Sequence, residues 1–101
     1  MPAQIDIDKD QIAEFCRRNR IRKLSLFGSV LTDRFGPDSD VDFLVEFDDG
    51  ATVSLLDVSR MELELIDMLN RDVDLRTRRG LSRYFRDDVE RLAEPIYESQ
   101  G

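Results

Sequence analysis

The sequence predicts a small α/β domain in which a sheet is backed by helices on one side. In the long segment 54–70, apolar residues recur every three or four positions, which is typical of an amphipathic helix. Val41–Phe47 is an almost continuous apolar run, which is typical of a central strand covered on both faces. At 101 residues the chain has room for one modest core, so we predict a single domain over residues 1–101.

The other elements follow from shorter patterns and from turn residues. Residues 1–8 show no clear period and predict a short arm, while Asp8 or Asp10 could cap the first helix. In chain order we predict a helix over 10–19, a strand over 21–27, a short helical stretch over 29–35, a strand over 41–47, a helix over 54–70 with Asn70 as its C-cap, a strand over 71–76, a helix over 82–92 and a tail containing Pro95.

Composition excludes several classes of function. With 41% hydrophobic and 37% charged residues the chain should fold, and its net charge of -7 argues against non-specific nucleic-acid binding and favours a basic partner. Cys16 is the single cysteine, so it cannot form an internal disulfide, and we expect it to be a small buried hydrophobe. Because no apolar run approaches roughly 20 residues and no signal-peptide pattern opens the chain, we expect no membrane association and a cytoplasmic location.

The pattern that carries chemistry is Gly28-Ser29, ten intervening residues, and then Asp40-Val41-Asp42. Side chains two apart on a strand point to the same face, so Asp40 and Asp42 should converge. Asp74, in the predicted strand 71–76, could complete a cluster of three. Asp72 competes for that role, since it has the same parity along the strand.

A cluster of three carboxylates points to a divalent cation. The carboxylates repel one another, and a bound cation removes that repulsion. Hard oxygen ligands, no histidine and a lone cysteine favour Mg²⁺ or Mn²⁺ over zinc. Gly28 would let the backbone approach a phosphate, and Ser29 at the start of a helix offers a hydroxyl and N–H groups. Such a site suits in-line transfer from a nucleoside triphosphate.

Two segments carry a resemblance to a known family. Leu26-Phe27-Gly28-Ser29 and the run from Pro37 to Val45, which contains Ser39-Asp40-Val41-Asp42, are similar to the signature of the polymerase-beta-like nucleotidyltransferase superfamily. Within that superfamily, the small size and Val73-Asp74-Leu75 resemble the minimal nucleotidyltransferase branch. The resemblance covers residues 21–97.

The resemblance implies a nucleotidyltransferase fold with a small mixed sheet. It further implies that Gly28 and Ser29 hold the triphosphate of ATP, that Asp40 and Asp42 bind metal, and that Asp74 is the third acidic residue of a site for two Mg²⁺ ions. Proteins of this branch are often antitoxins, paired with a helical ribonuclease toxin of the HEPN type. They inactivate the toxin by adding AMP to a tyrosine.

Several alternatives stay open. One group of basic residues could hold the triphosphate or line a partner interface, although such a run is more commonly a solvated charged face. The group consists of Arg76, Arg78, Arg79, Arg83 and Arg86. The chain could instead be an antitoxin that acts by binding alone. It could also be a nucleotidyltransferase acting on a small molecule or nucleic acid, although it lacks the positive surface expected of the latter. We expect Asp38 and Ser39 to shape the turn before the second strand.

Overall fold

The computed structural model describes residue 5 and residues 7–99. Most of the predicted arm over residues 1–8 therefore lies outside the described residues. The helices and strands are, in chain order, α1 (Lys9–Arg18), β1 (Ile21–Phe27), β2 (Val41–Phe47), α2 (Leu55–Leu69), β3 (Val73–Thr77), α3 (Arg86–Leu92) and β4 (Glu94–Glu98), with short 3-10 helices at Gly28–Leu31 and Arg78–Gly80.

The four strands form one mixed sheet in the order β3-β2-β1-β4. Strand β1 pairs antiparallel with β2 and with β4, and β2 pairs parallel with β3 through the crossover helix α2. A parallel pair requires a crossover of this kind, because the chain must return to the same edge of the sheet before it can start the second strand. The predicted fold class is confirmed.

The core lies between the sheet and helices α1 and α2. Val41, Phe43 and Val45 project from one face of β2 into this core, together with Phe15 from α1 and Leu65 from α2. Within the described part of the chain, α3 contributes nothing to this cluster. Instead, Glu90 of α3 lines a cavity of about 400 Å³ together with Ser25 and Leu44. The expectation of helices on one side therefore holds for α1 and α2, whereas α3 lies against the other face.

Local hydrogen bonds explain where the two long helices begin and end. Asp8, rather than Asp10, caps α1, since its Oδ1 accepts from the backbone N–H groups of Asp10 (3.0 Å) and Gln11 (3.2 Å). Ser54 and Asp57 form a reciprocal capping box at the start of α2. Asn70 ends α2 in the left-handed conformation with φ 55°, as predicted.

The largest departure from the sequence prediction is the last strand. Pro95 led us to predict a tail, but Glu94–Glu98 pairs with β1, with Pro95 opposite Ser25. Proline is tolerated there because β4 is at the edge of the sheet, where one row of backbone N–H groups has no strand to bond. The final helix is also shorter than predicted. It begins at Arg86, after a turn in which the Ser82 carbonyl accepts from Phe85 and Arg86 N–H.

Two smaller predictions about the core are also settled. Cys16 is fully buried, and burial raises the pKa of its thiol to about 12, as expected of a small hydrophobe. Helix α2 has more apolar residues than pack into the core. Met61 and Leu65 are buried, whereas Leu55, Leu56 and Leu63 are exposed. Among the described helices, none combines the length and apolarity needed to cross a bilayer.

The core assignment predicts unequal costs for two leucines of the same helix. Leu65→Ala should lower the free energy of unfolding by about 2–5 kcal/mol, because it removes a fully buried side chain and leaves a cavity. Leu63→Ala should change it by no more than about 0.5 kcal/mol, because 67% of Leu63 is exposed. Urea unfolding of both variants checks this, and equal costs would contradict the assigned helix orientation.

Candidate functional site

The predicted site residues meet at one end of the sheet because of the strand register. Asp42 pairs with Phe27 of β1 on one side and with Asp74 of β3 on the other. Gly28 follows directly after Phe27, and Asp40 lies two residues before Asp42. The same register brings Asp74, rather than Asp72, opposite Asp42, and the backbone carbonyl of Asp72 accepts from Val41 N–H at 2.9 Å. The role of Asp74 as the third acidic residue stays a prediction.

Gly28 is required for two separate reasons. Its φ is +79°, in the left-handed region that side chains rarely adopt. A Cβ atom at this position would also lie 2.4 Å from Asp42 Oδ2, well inside contact distance. The backbone of the turn and the Asp42 carboxylate are therefore in direct contact, and a side chain at position 28 would force the Asp42 carboxylate to move.

The turn after Gly28 is held by its own hydrogen bonds. The Ser29 carbonyl accepts from Thr32 N–H at 2.9 Å and from Thr32 Oγ1 at 2.8 Å. Val30 is fully buried and fixes the turn to the core. Helical structure is confined to Gly28–Leu31, so the stretch predicted over residues 29–35 is shorter than expected. Ser29 thus directly follows Gly28 on a turn that these hydrogen bonds and Val30 hold in place.

Two neighbouring carboxylates lie close enough to Asp42 to affect its ionisation. The pKa of Asp42 is raised to about 6, mainly by burial and then by the negative charges of Asp74 and Asp40, while Arg76 acts in the opposite direction. A carboxyl group with two like-charged neighbours is the expected consequence of placing these residues on adjacent strands. Cation binding at this position would relieve the repulsion.

Arg76 lies beside Asp74, whereas the sequence analysis named it only as one of a basic group that could hold the triphosphate or line a partner interface. Its Nε lies 2.9 Å from Asp74 Oδ2, and this hydrogen bond with the adjacent charge raises the pKa of the guanidinium. Position 76 follows Asp74 by two residues on β3, so the period of the strand could have indicated the shared face. Glu62 of α2 was also missed. Its Oε2 accepts from Leu75 N–H at 2.8 Å and holds the outer edge of β3.

The remaining arginines of the basic group do not act together. Arg78 forms ion pairs with Asp87 and Glu90 of α3. Arg86 donates to the Leu81 carbonyl at 3.3 Å, and the Arg83 guanidinium lies over the ring of Tyr84. Only Arg76 of this group makes a contact with one of the three carboxylates.

The donor set suits Mg²⁺, but the three side chains are not arranged as a finished metal site. Across residue 5 and residues 7–99, no three Asp, Glu, His or Cys side chains converge closely enough to hold an ion. One oxygen of Asp74 faces Arg76 instead. The residues nevertheless suit a hard cation, since burial and the negative charges of Asp74 and Asp40 raise the pKa of the half-buried Asp42 carboxyl, whose charge a cation would offset. Metal binding by Asp40, Asp42 and Asp74 stays a prediction.

The contact between Gly28 and Asp42 predicts a graded effect of alanine at three glycines. Gly50→Ala should cost about 1–2 kcal/mol, because φ is +80° but the space is open. Gly28→Ala should cost more, because the strained backbone is combined with a collision. Gly36→Ala should be the mildest, since its Cβ would have no neighbour within 4 Å. Thermal melts of the three variants test the order; a Gly28→Ala protein as stable as Gly50→Ala would contradict the geometry.

Comparison with known proteins identifies the fold and the family. The sequence model of the nucleotidyltransferase domain family matches residues 9–95. A protein of Methanocaldococcus jannaschii, provisionally named a protein adenylyltransferase, is 32% identical over 81 residues, covering 80% of this chain and 85% of the relative.

Two solved structures share the fold. One, provisionally described as a minimal nucleotidyltransferase, is 37% identical with a TM-score of 0.71 and covers 86% of this chain and 87% of its own. The other is a complex of a tri-AMPylated Shewanella oneidensis HEPN toxin with an MNT antitoxin. Its matched chain is 23% identical with a TM-score of 0.66, covering 91% of this chain and 71% of its own, and this likeness shows the fold alone.

The predicted resemblance is therefore confirmed at the level of the family. The match spans β1, β2 and β3 and so includes Gly28, Ser29 and all three carboxylates. This chain belongs to the nucleotidyltransferase domain family.

Proposed function

We propose that this protein is a Mg²⁺-dependent protein adenylyltransferase and an antitoxin. It transfers AMP from ATP to the tyrosine hydroxyl of a cognate HEPN-type toxin in the cytoplasm. The observation that carries the proposal is the position of Asp42, whose carboxylate contacts the Gly28 backbone and pairs in register with Asp74. The turn that would bind phosphate and the two strands that carry Asp42 and Asp74 therefore lie next to the same phosphate group.

Two relatives support the choice of acceptor. The Methanocaldococcus jannaschii relative carries the name of an enzyme that modifies proteins, and the Shewanella oneidensis complex joins an AMPylated toxin to an MNT antitoxin. The net charge of -7 suits a basic protein partner better than a nucleic acid. No comparable observation supports transfer to a small molecule or nucleic acid.

The residues divide the chemistry as follows. The backbone at Gly28 and the hydroxyl and N–H of Ser29 hold the triphosphate, and Asp40 and Asp42 hold Mg²⁺. When bound, Mg²⁺ neutralises charge on the phosphates and aligns the in-line attack. The acceptor oxygen forms a bond to the α-phosphorus, and the bond from that phosphorus to the pyrophosphate oxygen breaks. Asp74 accepts the hydroxyl proton, and Arg76, 2.9 Å away, orients the Asp74 carboxylate.

Intact mass spectrometry distinguishes this proposal from its rivals. The protein is incubated with the toxin encoded beside it, Mg²⁺ and ATP, and the masses of both chains are measured. We expect the toxin to gain one or more AMP groups. Silencing of the toxin with no mass change would instead establish an antitoxin that acts by binding alone. Labelling of RNA or a small molecule, but not of the toxin, would favour a nucleotidyltransferase that acts on nucleic acid or on a small molecule.

Amidation of the metal-binding carboxylates should remove transfer. Asp40→Asn or Asp42→Asn should each lower the transfer rate by at least about 100-fold, the loss typical when one group that stabilises transition-state charge is removed. Asp48→Asn is the matched control, because Asp48 follows β2 at the end opposite to the site. Rates come from the mass gain over time. If Asp42→Asn kept wild-type rates, the assignment of this carboxylate would be wrong.

The ligand-free site should also show a distinct pH dependence of stability. The pKa of Asp42 is raised from 3.8 to about 6, so its ionisation destabilises the folded state as pH rises through this interval. Asp42→Asn should therefore melt at or above the wild-type temperature at pH 7 in EDTA, and the difference should vanish below about pH 4. Melting well below wild type at pH 7 would instead make Asp42 a structural residue.

Ligand should reverse this order. Mg²⁺ with a non-hydrolysable ATP analogue at 100 times the dissociation constant should stabilise the wild type by about 2.7 kcal/mol. It should stabilise Asp42→Asn far less, because a metal ligand has been removed. Melts of both proteins with and without ligand provide the comparison.

A further inference from the structure

The residues just before Asp40 form a tight turn at the surface. Ser39 N–H donates to the Gly36 carbonyl at 3.1 Å, and Gly36 N–H donates to Ser39 Oγ at 3.0 Å. Ser39 thus shapes the turn, as the sequence predicted. Pro37 and Asp38 are exposed, and the turn belongs to no helix or strand. Its position relative to the sheet must therefore be set by contacts from elsewhere.

Those contacts come from the connection between α2 and β3. Arg71 Nη2 donates to two backbone carbonyls of the turn, those of Gly36 and Ser39, and the distance to the Ser39 oxygen is 3.2 Å. The guanidinium also stacks on Phe35, with its Cζ 4.1 Å from the ring centroid. On the other side of Asp40, Val41 N–H donates to the carbonyl of Asp72 at 2.9 Å. Asp40 is thereby held between two anchors supplied by consecutive residues.

An arginine at position 71 would be energetically unfavourable if it only packed against its neighbours. Among the described residues, its Nε is one of two buried side-chain nitrogen or oxygen atoms without a hydrogen-bond partner. Burying part of a guanidinium with an unmatched donor is unfavourable, and an apolar residue of similar length could contact Phe35 without that cost. Its Nη2 donates to two backbone carbonyls at once, which no apolar residue can do.

We propose that Arg71 is a positioning residue for Asp40. By fixing the turn over residues 36–39, it sets where the Asp40 carboxylate lies relative to Asp42 and thereby the affinity of this site for a divalent cation. The part of this inference that concerns the cation rests on the proposed function. The part that concerns the turn stands on the hydrogen bonds alone.

The sign of the expected effect separates positioning from simple electrostatics. Removing a positive charge near a cation site should tighten cation binding, because one repulsion is lost. Loss of positioning should weaken it, and residues that orient metal ligands typically contribute 10- to 100-fold in affinity. Arg71→Met is the informative variant, because methionine keeps an apolar contact with Phe35 and removes both hydrogen bonds.

The test measures two quantities on the full chain. Hydrogen exchange of the ligand-free protein reports on the amides of residues 36 and 38–41, since Pro37 has no N–H. Mn²⁺ titration with a non-hydrolysable ATP analogue, followed by electron paramagnetic resonance, reports the affinity of the cation. In Arg71→Met we expect exchange of this segment to rise at least about tenfold and Mn²⁺ affinity to fall by about 10- to 100-fold. Arg79→Met is the control. It removes the same charge from an exposed arginine that lines a cavity with Val45 and Phe47, at the far end of β2.

Arg71→Lys keeps the test decisive if Arg71→Met folds poorly. Lysine keeps the charge but lacks the planar group that stacks on Phe35 and places Nη2 between the two carbonyls, so it should also lose affinity. Wild-type exchange and wild-type or tighter Mn²⁺ binding in the folded variants would overturn the inference, with the proposed function intact. If the wild type binds no Mn²⁺, the proposed function is wrong, and so is the cation part of the inference. Faster exchange over residues 36–41 would then still support the anchoring of the turn.

Discussion

Mutual repulsion among carboxylates on adjacent strands is the constraint that the rest of this structure has to satisfy. Backbone hydrogen bonds between β2 and β3 hold Asp42 and Asp74 opposite each other, and Gly28 presses its backbone against the same Asp42 carboxylate. The placement of these negative charges disfavours folding, as the raised pKa of Asp42 indicates, and the positive charge of Arg76 offsets this only in part. The free energy that holds it together must come from the opposite face of the same strand.

Strand β2 supplies that free energy because its side chains alternate between the two faces of the sheet. Val41, Phe43 and Val45 are almost fully buried against α1 and α2, and they alternate along the strand with Asp42. Burying a side chain of this size contributes about 1.5–3 kcal/mol. One strand thus stabilises the fold through one face and carries Asp42, the residue central to the proposed chemistry, on the other.

Much of this could be predicted from the sequence, because the signals are local. The apolar run of β2, the capping residues of α2 and the two-residue period of Asp40 and Asp42 are all visible within a short window. The sequence analysis placed Asp74 on a strand near Asp42 but left Asp72 open, because the register of β3 against β2 has no local signal. In contrast, β4 was missed because a short edge strand has a weak pattern and Pro95 argued against it.

The supporting contacts of the site could not be predicted for a different reason. Glu62 reaches Leu75 across 13 positions, and Arg71 reaches Gly36 across 35. Contacts of this kind depend on the register and the crossing of packed elements, which no local period encodes. Arg76 is intermediate, since its neighbour Asp74 is only two residues away but its charge also fits a solvated face.

The parallel pairing of β2 with β3 explains why these contacts converge on the α2–β3 connection. In a parallel pair, both strands begin at the same edge of the sheet, so the turn before Asp40 and the turn after Asn70 are neighbours. An antiparallel β3 would have its C-terminal end beside Asp40, and Arg71 would be at the far edge. The crossover helix α2 therefore does more than cover the core. It returns the chain to the edge where Asp74 meets Asp42, and where the start of β3 can hold the residues that precede β2.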